Sequence, residues 1–295
     1  MKKDTPSKTA QYMALYRALE TRRPTGKRLF TDPYAIHFLT PAHRLLCHLA
    51  SIPPAERLFY HLIQRRIPGA LASGLARTRL IDDLLETTLR QGARQVIILG
   101  AGFDTRNLRL TSLQDLPIIE IDHPDTARRK LQTLGRHQKT LPKNTRYLSI
   151  DFNKQSLEDL FRQHSIDLSI PTVLIWEGVT NYLQKEAIDA MFALVGKFAK
   201  GSCIIFTYVD KKVLENPALY YGAVRLIKDL EAIGERWTFG FRPEELAGCL
   251  SGFGLRLIKD VGAADYRQQY VPERKKILKG YEFYRVAMAR VVSTS

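Results

Sequence analysis

Cysteine is scarce. The 295 residues hold three, Cys47, Cys203 and Cys249, with no CxxC pair among them. That excludes a disulfide framework and offers no zinc-ligand spacing, so no metal is expected. Cys203 sits in GSCIIFTYV, where a small thiol fits a buried strand. Long apolar runs are also missing. QVIILGAGF is about half the roughly 18 residues needed to span a bilayer. The N-terminal lysines lead into no apolar h-region, so a secretory signal is not expected and a cytoplasmic protein is. Acid is in short supply as well: 30 acidic residues face 45 basic ones, a net charge of +15. Such an excess suggests a polyanionic partner, nucleic acid first. The charge is scattered, however, in short clusters at ETRRPTGKR, TARRK and PERKKILKG, with no RNA-binding aromatic motif or helix-turn-helix beside them. Nucleic-acid binding therefore stands as an alternative.

An apolar share of 45% can fill a sizeable core. Residues 1–92 read as a helical region. TAQYMALYRALE is amphipathic, and in LARTRLIDDLLETTLRQG the residues Leu75, Leu80, Ile81, Leu84, Leu85 and Leu89 recur near the 3.6-residue period. From residue 93 to 295 the pattern changes. RQVIILG, LPIIEID, TRYLSID, PTVLIWE and SCIIFTYV read as strands, most of them separated by amphipathic helices. Continuous Val/Ile/Leu strands alternating with helices imply an α/β fold with a parallel sheet covered on both faces. RPEELAGCLSGFGLRLIKDV reads as a helix followed by a strand, and EFYRVAMARVV as a closing strand, the last two strands forming an antiparallel edge hairpin.

Ligands of such sheets bind beyond the carboxyl ends of the strands. Gly100 and Gly102 end the first strand, where the absence of Cβ atoms lets a ligand approach the main chain. A dinucleotide fingerprint would need a third glycine at position 105, which is threonine, and this disfavours an NAD(P)-dependent oxidoreductase. The second strand ends in Asp122, 20 residues beyond Gly102, where a carboxylate can accept both hydrogen bonds of a ribose diol. The third ends in Asp151-Phe152, an acceptor and an apolar ring suited to adenine; the fourth ends in Glu177. Helix N-capping is the other use for Asp122 and Asp151. Together these features point to a nucleoside carrying no phosphate, and S-adenosylmethionine is such a ligand. Asp104 or Thr105 is expected to cap the next helix and Arg106 to pair with a carboxylate, shaping the loop with no need to touch the chemistry.

ILGAGFDTRNLRL, EIDHPDTARRK, SIDFNKQSLEDLF and LIWEGVTNYL, in this order, resemble the leucine carboxyl methyltransferase family, and within it a bacterial branch of S-adenosylmethionine-dependent O-methyltransferases. TAQYMALYRALETRRPTGKRLFTDPYAIHFL and ARTRLIDDLL match the same branch, so the resemblance spans most of the chain. It implies a class I methyltransferase (Rossmann-like) fold, a seven-stranded, mostly parallel sheet whose last strand is antiparallel, with an N-terminal helical cap over cofactor and acceptor. It also implies that Gly100 and Gly102 contact the methionine part of the cofactor, Asp122 the ribose, and Asp151 with Phe152 the adenine. Glu177 would lie near the cofactor's amino-acid end and Arg77 would pair its carboxylate, although Arg79 is available two residues later. Tyr182 is a candidate on the acceptor side, while Tyr16 is read as a packing residue. His37 in the cap is a better base candidate than His123, but no base is assigned. The expected acceptor is a small molecule or peptide methylated on a carboxylate or hydroxyl. An anionic acceptor would meet Arg22, Arg23, Lys27 and Arg28. An RNA-modifying methyltransferase would join this reading to the nucleic-acid alternative. Oligomeric state is not legible.

Overall fold

The structure, a computed structural model, describes residues 8–50, 61–63, 65–66, 68–137, 141–151, 155–271 and 279–292. Seven strands, β1 (Gln95–Leu99), β2 (Ile118–Asp122), β3 (Thr145–Ser149), β4 (Thr172–Trp176), β5 (Cys203–Val209), β6 (Leu255–Gly262) and β7 (Tyr284–Val291), form one sheet in the order β3-β2-β1-β4-β5-β7-β6. β1 to β5 pair in parallel, and β7 runs antiparallel to both β5 and β6. Every residue of β1, β4 and β5 is buried, whereas the edge strands β3 and β6 mix buried and exposed positions. Uninterrupted apolar strands thus occupy the centre, where both faces are covered, and mixed strands take the rims.

Helices α1 (Lys8–Thr21), α2 (Pro41–Leu49) and α3 (Ala70–Arg90) precede the sheet. The short α4 (Arg106–Arg109), α5 (Pro124–His137), α6 (Leu157–Gln163), α7 (Lys185–Gly196), the short α8 (Lys212–Glu215), α9 (Ala223–Ala232), α10 (Pro243–Ser251) and α11 (Ala263–Tyr270) are distributed among the strands. Strand alternation divides the core. Val96, Ile98, Val173, Ile175, Cys203 and Ile205 pack with α3 residues Leu80, Ile81, Leu84 and Leu85 on one face. Ile97, Leu99, Leu174, Trp176, Ile204 and Phe206 pack with α6, α7 and α10 on the other. The 3.6-residue repeat in α3 therefore marks the stripe laid on the sheet.

Helix α1 is placed over the carboxyl end of the sheet by two smaller clusters. Its Ala14, Leu15, Ala18 and Leu19 pack with Phe38, Phe103 and Leu134, and Phe38 stacks on Phe103 with ring centroids 4.6 Å apart. Its Tyr16 packs with Phe30, Leu71 and Leu75. Because Phe103 directly follows the glycine loop, the loop is clamped between β1 and α1.

One expectation needs correction. β6 and β7 do pair antiparallel, but β7 inserts between β5 and β6, leaving β6 alone at the edge. They do not form a hairpin, since α11 lies between them. Insertion lets the apolar β7 (Val286, Ala287, Ala289 and Val291 are buried) take an interior position, while the more polar β6 is left at the rim. No helix among the described residues is long and apolar enough to cross a membrane.

Candidate cofactor and acceptor crevice

The carboxyl ends of β1, β2 and β4, with Asp151 two residues past β3, open onto a crevice of about 670 Å³. Arg77, Gly100, Gly102, Asp122, Asp151, Glu177 and Tyr182 all line it. Phe152 lies outside the described residues. The chain thus brings together the seven described candidates, drawn from one helix and four strand ends.

Gly100 and Gly102 both have positive φ, +63° and +49°, a region that costs an ordinary L-residue about 1–2 kcal/mol. The missing side chain at Gly100 makes room for protein: a Cβ there would collide with the Val179 Cγ2 methyl on the loop after β4. At Gly102 a Cβ would meet Ala10 of α1 at 3.5 Å, an ordinary contact. Both glycines therefore serve backbone shape, and Gly100 internal packing as well. Gly100→Ala is expected to lower the melting temperature by about 3 °C or more, from the strained φ plus the Val179 clash. A thermal melt within a degree of wild type would refute this account of the loop.

Asp122 is fixed by the main chain. The Gly102 amide donates to one carboxylate oxygen and the His123 amide to the other at 2.6 Å. It does not cap α5, because His123 occupies that position and its Nδ1 accepts from the Asp125 amide at 3.3 Å. Burial pushes the Asp122 carboxyl above its ordinary value, and the His123 and Gly102 amides offset only part of that rise. An ionised carboxylate has about four acceptor sites, so two remain for a diol.

Glu177 is gripped from two sides, by Arg77 Nε at 2.9 Å and Arg106 Nη2 at 3.1 Å. Burial alone would raise its carboxyl, but the two guanidiniums outweigh burial and hold it below the ordinary range. Arg106 also binds Asp104 and Asp82, the latter at 2.8 Å, and Arg109 reaches Asp82 at 2.8 Å. Arg79 is directed elsewhere, to the Leu29 carbonyl at 2.7 Å and Asp83 at 3.0 Å, so Arg77 is the arginine of α3 in the crevice. Thr105 occupies the cap position of α4 but gives its hydroxyl to Asp32 at 2.7 Å, and Asp104 accepts from the Arg106 amide at 2.7 Å instead. The expected Arg106–carboxylate pairing is present. Asp104 and Arg106 also line the crevice.

Two further expectations change. His37 is absent from the crevice lining and stacks on His137 of α5 with centroids 4.1 Å apart, while His123 lines the crevice. Arg22, Arg23, Lys27 and Arg28 do not line it either; Arg23 and Arg28 bond to the Lys27 and Thr21 carbonyls of their own segment. Tyr16 is buried and belongs to the α1–α3 packing, yet it also borders the crevice. The sequence reading missed Thr9, Glu235, Trp237 and Tyr284, all of which line it.

A crevice at the carboxyl ends of parallel strands, with a glycine turn and a diol-ready carboxylate, defines an α/β protein that binds a nucleoside-type cofactor. The fold is that of the class I methyltransferases. A crystal structure titled a "putative methyltransferase" from Thermobifida fusca superposes with a TM-score of 0.60 at 17% identity, covering 99% of this chain and 97% of that one. The chain belongs to the leucine carboxyl methyltransferase family, whose model matches residues 10–196. A Streptomyces coelicolor protein named "Putative S-adenosyl-L-methionine-dependent methyltransferase" is 30% identical over 83% of this chain and 81% of its own length. A Frankia alni protein with the same description is 29% identical over 90% of each chain.

Proposed function

We propose that this chain transfers a methyl group from S-adenosylmethionine to an oxygen, carboxylate or hydroxyl, of a small-molecule or peptide acceptor. The coarser statement, that it is an S-adenosylmethionine-dependent methyltransferase, follows from family membership. The observation carrying the finer reading is the convergence of Gly100, Gly102, Asp122, Asp151, Glu177 and Arg77 on one crevice that extends past Tyr182. The cofactor supplies an electrophilic methyl group on a sulfonium. Asp122 holds the ribose diol, Asp151 the adenine amino group, and the Arg77–Glu177 pair receives the amino-acid end with one charge for each of its two. These residues align the reactants, and residues 1–92, through α1, keep water from them as a cap over the 93–295 core. The compartment proposed is the cytoplasm.

Calorimetry tests this reading. S-adenosylmethionine and its demethylated product are expected to bind at one site per chain, while NADH, NADPH and an arbitrary RNA oligonucleotide bind far more weakly. Tight NADPH binding without S-adenosylmethionine binding would sink it, and salt-steep oligonucleotide binding would favour the nucleic-acid reading.

A further inference from the structure

The crevice has a second lining chemistry besides the glycines and carboxylates of the strand ends. Tyr12, Tyr16, Tyr182, Trp237, Tyr281 and Tyr284 line it, a set of flat faces suited to an aromatic acceptor. Its buried cations are engaged. Arg17 is paired with Asp32 at 2.7 Å, Arg77 with Glu177, Arg109 with Asp82, and Arg106 with three carboxylates. An anionic acceptor would find only neutralised guanidiniums at depth, so the +15 of the whole chain does not extend into this chamber.

One carboxylate stands among the aromatic residues. Glu235 lines the crevice, half-buried, in the segment between α9 and α10, just after Gly234 with φ +77°. Its carboxylate accepts a hydrogen bond from the Thr9 hydroxyl in the first turn of α1, which fixes it from across the crevice, 226 residues away in sequence. The Arg77 guanidinium sits over the Tyr284 ring at 5.0 Å, and that ring meets Trp237, two residues beyond Glu235, edge to face at 5.7 Å; Tyr182 packs in the same cluster. Tyr284 thus bridges the end proposed for the methionine moiety and Glu235. Burial raises both phenols above their ordinary value, so at neutral pH each is a proton donor. Asp229, another carboxylate of the lining, pairs with Arg66 at 3.5 Å.

We infer that the acceptor is an uncharged aromatic hydroxyl compound, a phenol, and that Glu235 takes its proton. This rests on the methyltransferase reading above. As the acceptor oxygen forms its new bond to the methyl carbon, the carbon–sulfur bond breaks with its electron pair left on sulfur. The hydroxyl proton passes to the Glu235 carboxylate and from there to solvent. Thr9 positions Glu235, and Tyr182 with Tyr284 orients the phenol oxygen by hydrogen bonding.

The test uses the full chain loaded with the demethylated cofactor product, titrated calorimetrically with catechol, 4-methylphenol and the corresponding benzoic acids. The phenols are expected to bind at least tenfold more tightly than the benzoates. With labelled S-adenosylmethionine, Glu235→Gln is expected to lower kcat for catechol by about 10²–10³-fold while leaving the cofactor Kd within twofold. The kcat/KM of the variant should climb with pH up to the ionisation of catechol itself, since solvent must then make the phenolate that the lost carboxylate no longer makes. Thr9→Val should weaken turnover about tenfold with the same pH form as wild type. Benzoates binding as tightly as phenols, no phenol binding up to its solubility, or unchanged turnover in Glu235→Gln would each overturn the inference. Failure of cofactor binding in the wild type would instead overturn the methyltransferase reading, so the two failures are distinct.

Discussion

Asp122→Ala is expected to weaken S-adenosylmethionine binding more than 100-fold. Two hydrogen bonds from a ribose diol to an ionised carboxylate contribute together about 3 kcal/mol or more, since bonds to charged groups are worth roughly 1.5–3 kcal/mol each. The loss is compounded because the same carboxylate accepts from the Gly102 and His123 amides, which then lack a partner. Asp122→Asn keeps the shape and one acceptor oxygen and should lie between. Calorimetric Kd values for the three proteins check this, and a loss under fivefold in Asp122→Ala would remove Asp122 from the ribose. Acidification should act in the same direction. Burial sets the Asp122 carboxyl above its ordinary value, so protonation and loss of affinity begin at a higher pH than an exposed aspartate would give.

Arg106→Met should cost about 3–5 kcal/mol of folding stability, the usual loss when one member of a buried ion pair is removed. Arg106 is 2% exposed and bonds to Asp82, Asp104 and Glu177 together. Arg109 still reaches Asp82 and Arg77 still reaches Glu177, which keeps the loss within that range, but Asp104 is stripped of its ion-pair partner. Since total stability is about 5–15 kcal/mol, the urea midpoint should drop by a large fraction of its value; an unchanged midpoint would refute the network's role. Burial raises Asp104 and Glu177, and their arginines more than reverse this, so both titrate below their ordinary values. Their stabilisation is complete above the unfolded carboxylate range and disappears as pH falls through the depressed values. The gap between wild type and variant should therefore be widest near neutrality and close on acidification.

The strands of the central sheet were legible because complete burial demands an uninterrupted apolar run, as in QVIIL and TVLIW. The candidate site was legible wherever it sits on a strand tip: Asp122 follows IIEI directly, and Glu177 follows TVLIW. The insertion of β7 was not legible, because strand order depends on which edges meet in space and neither β6 nor β7 signals that locally. Glu235 follows an ordinary amphipathic helix and meets Thr9 only through tertiary packing. Arg106 was visible as a charge, but its three partners lie 2, 24 and 71 positions away, and only folding selects them. Position 100 was read as ligand access, and the structure adds Val179 as the neighbour that also needs the space.

The place of β7 bears on how this chain is made. During synthesis β5 and β6 emerge before the strand that separates them, so each presents an open row of backbone donors and acceptors until residues 284–291 leave the ribosome. A nonsense codon between positions 263 and 283 would strand both edges permanently, and such fragments should aggregate rather than persist as shortened, working enzyme.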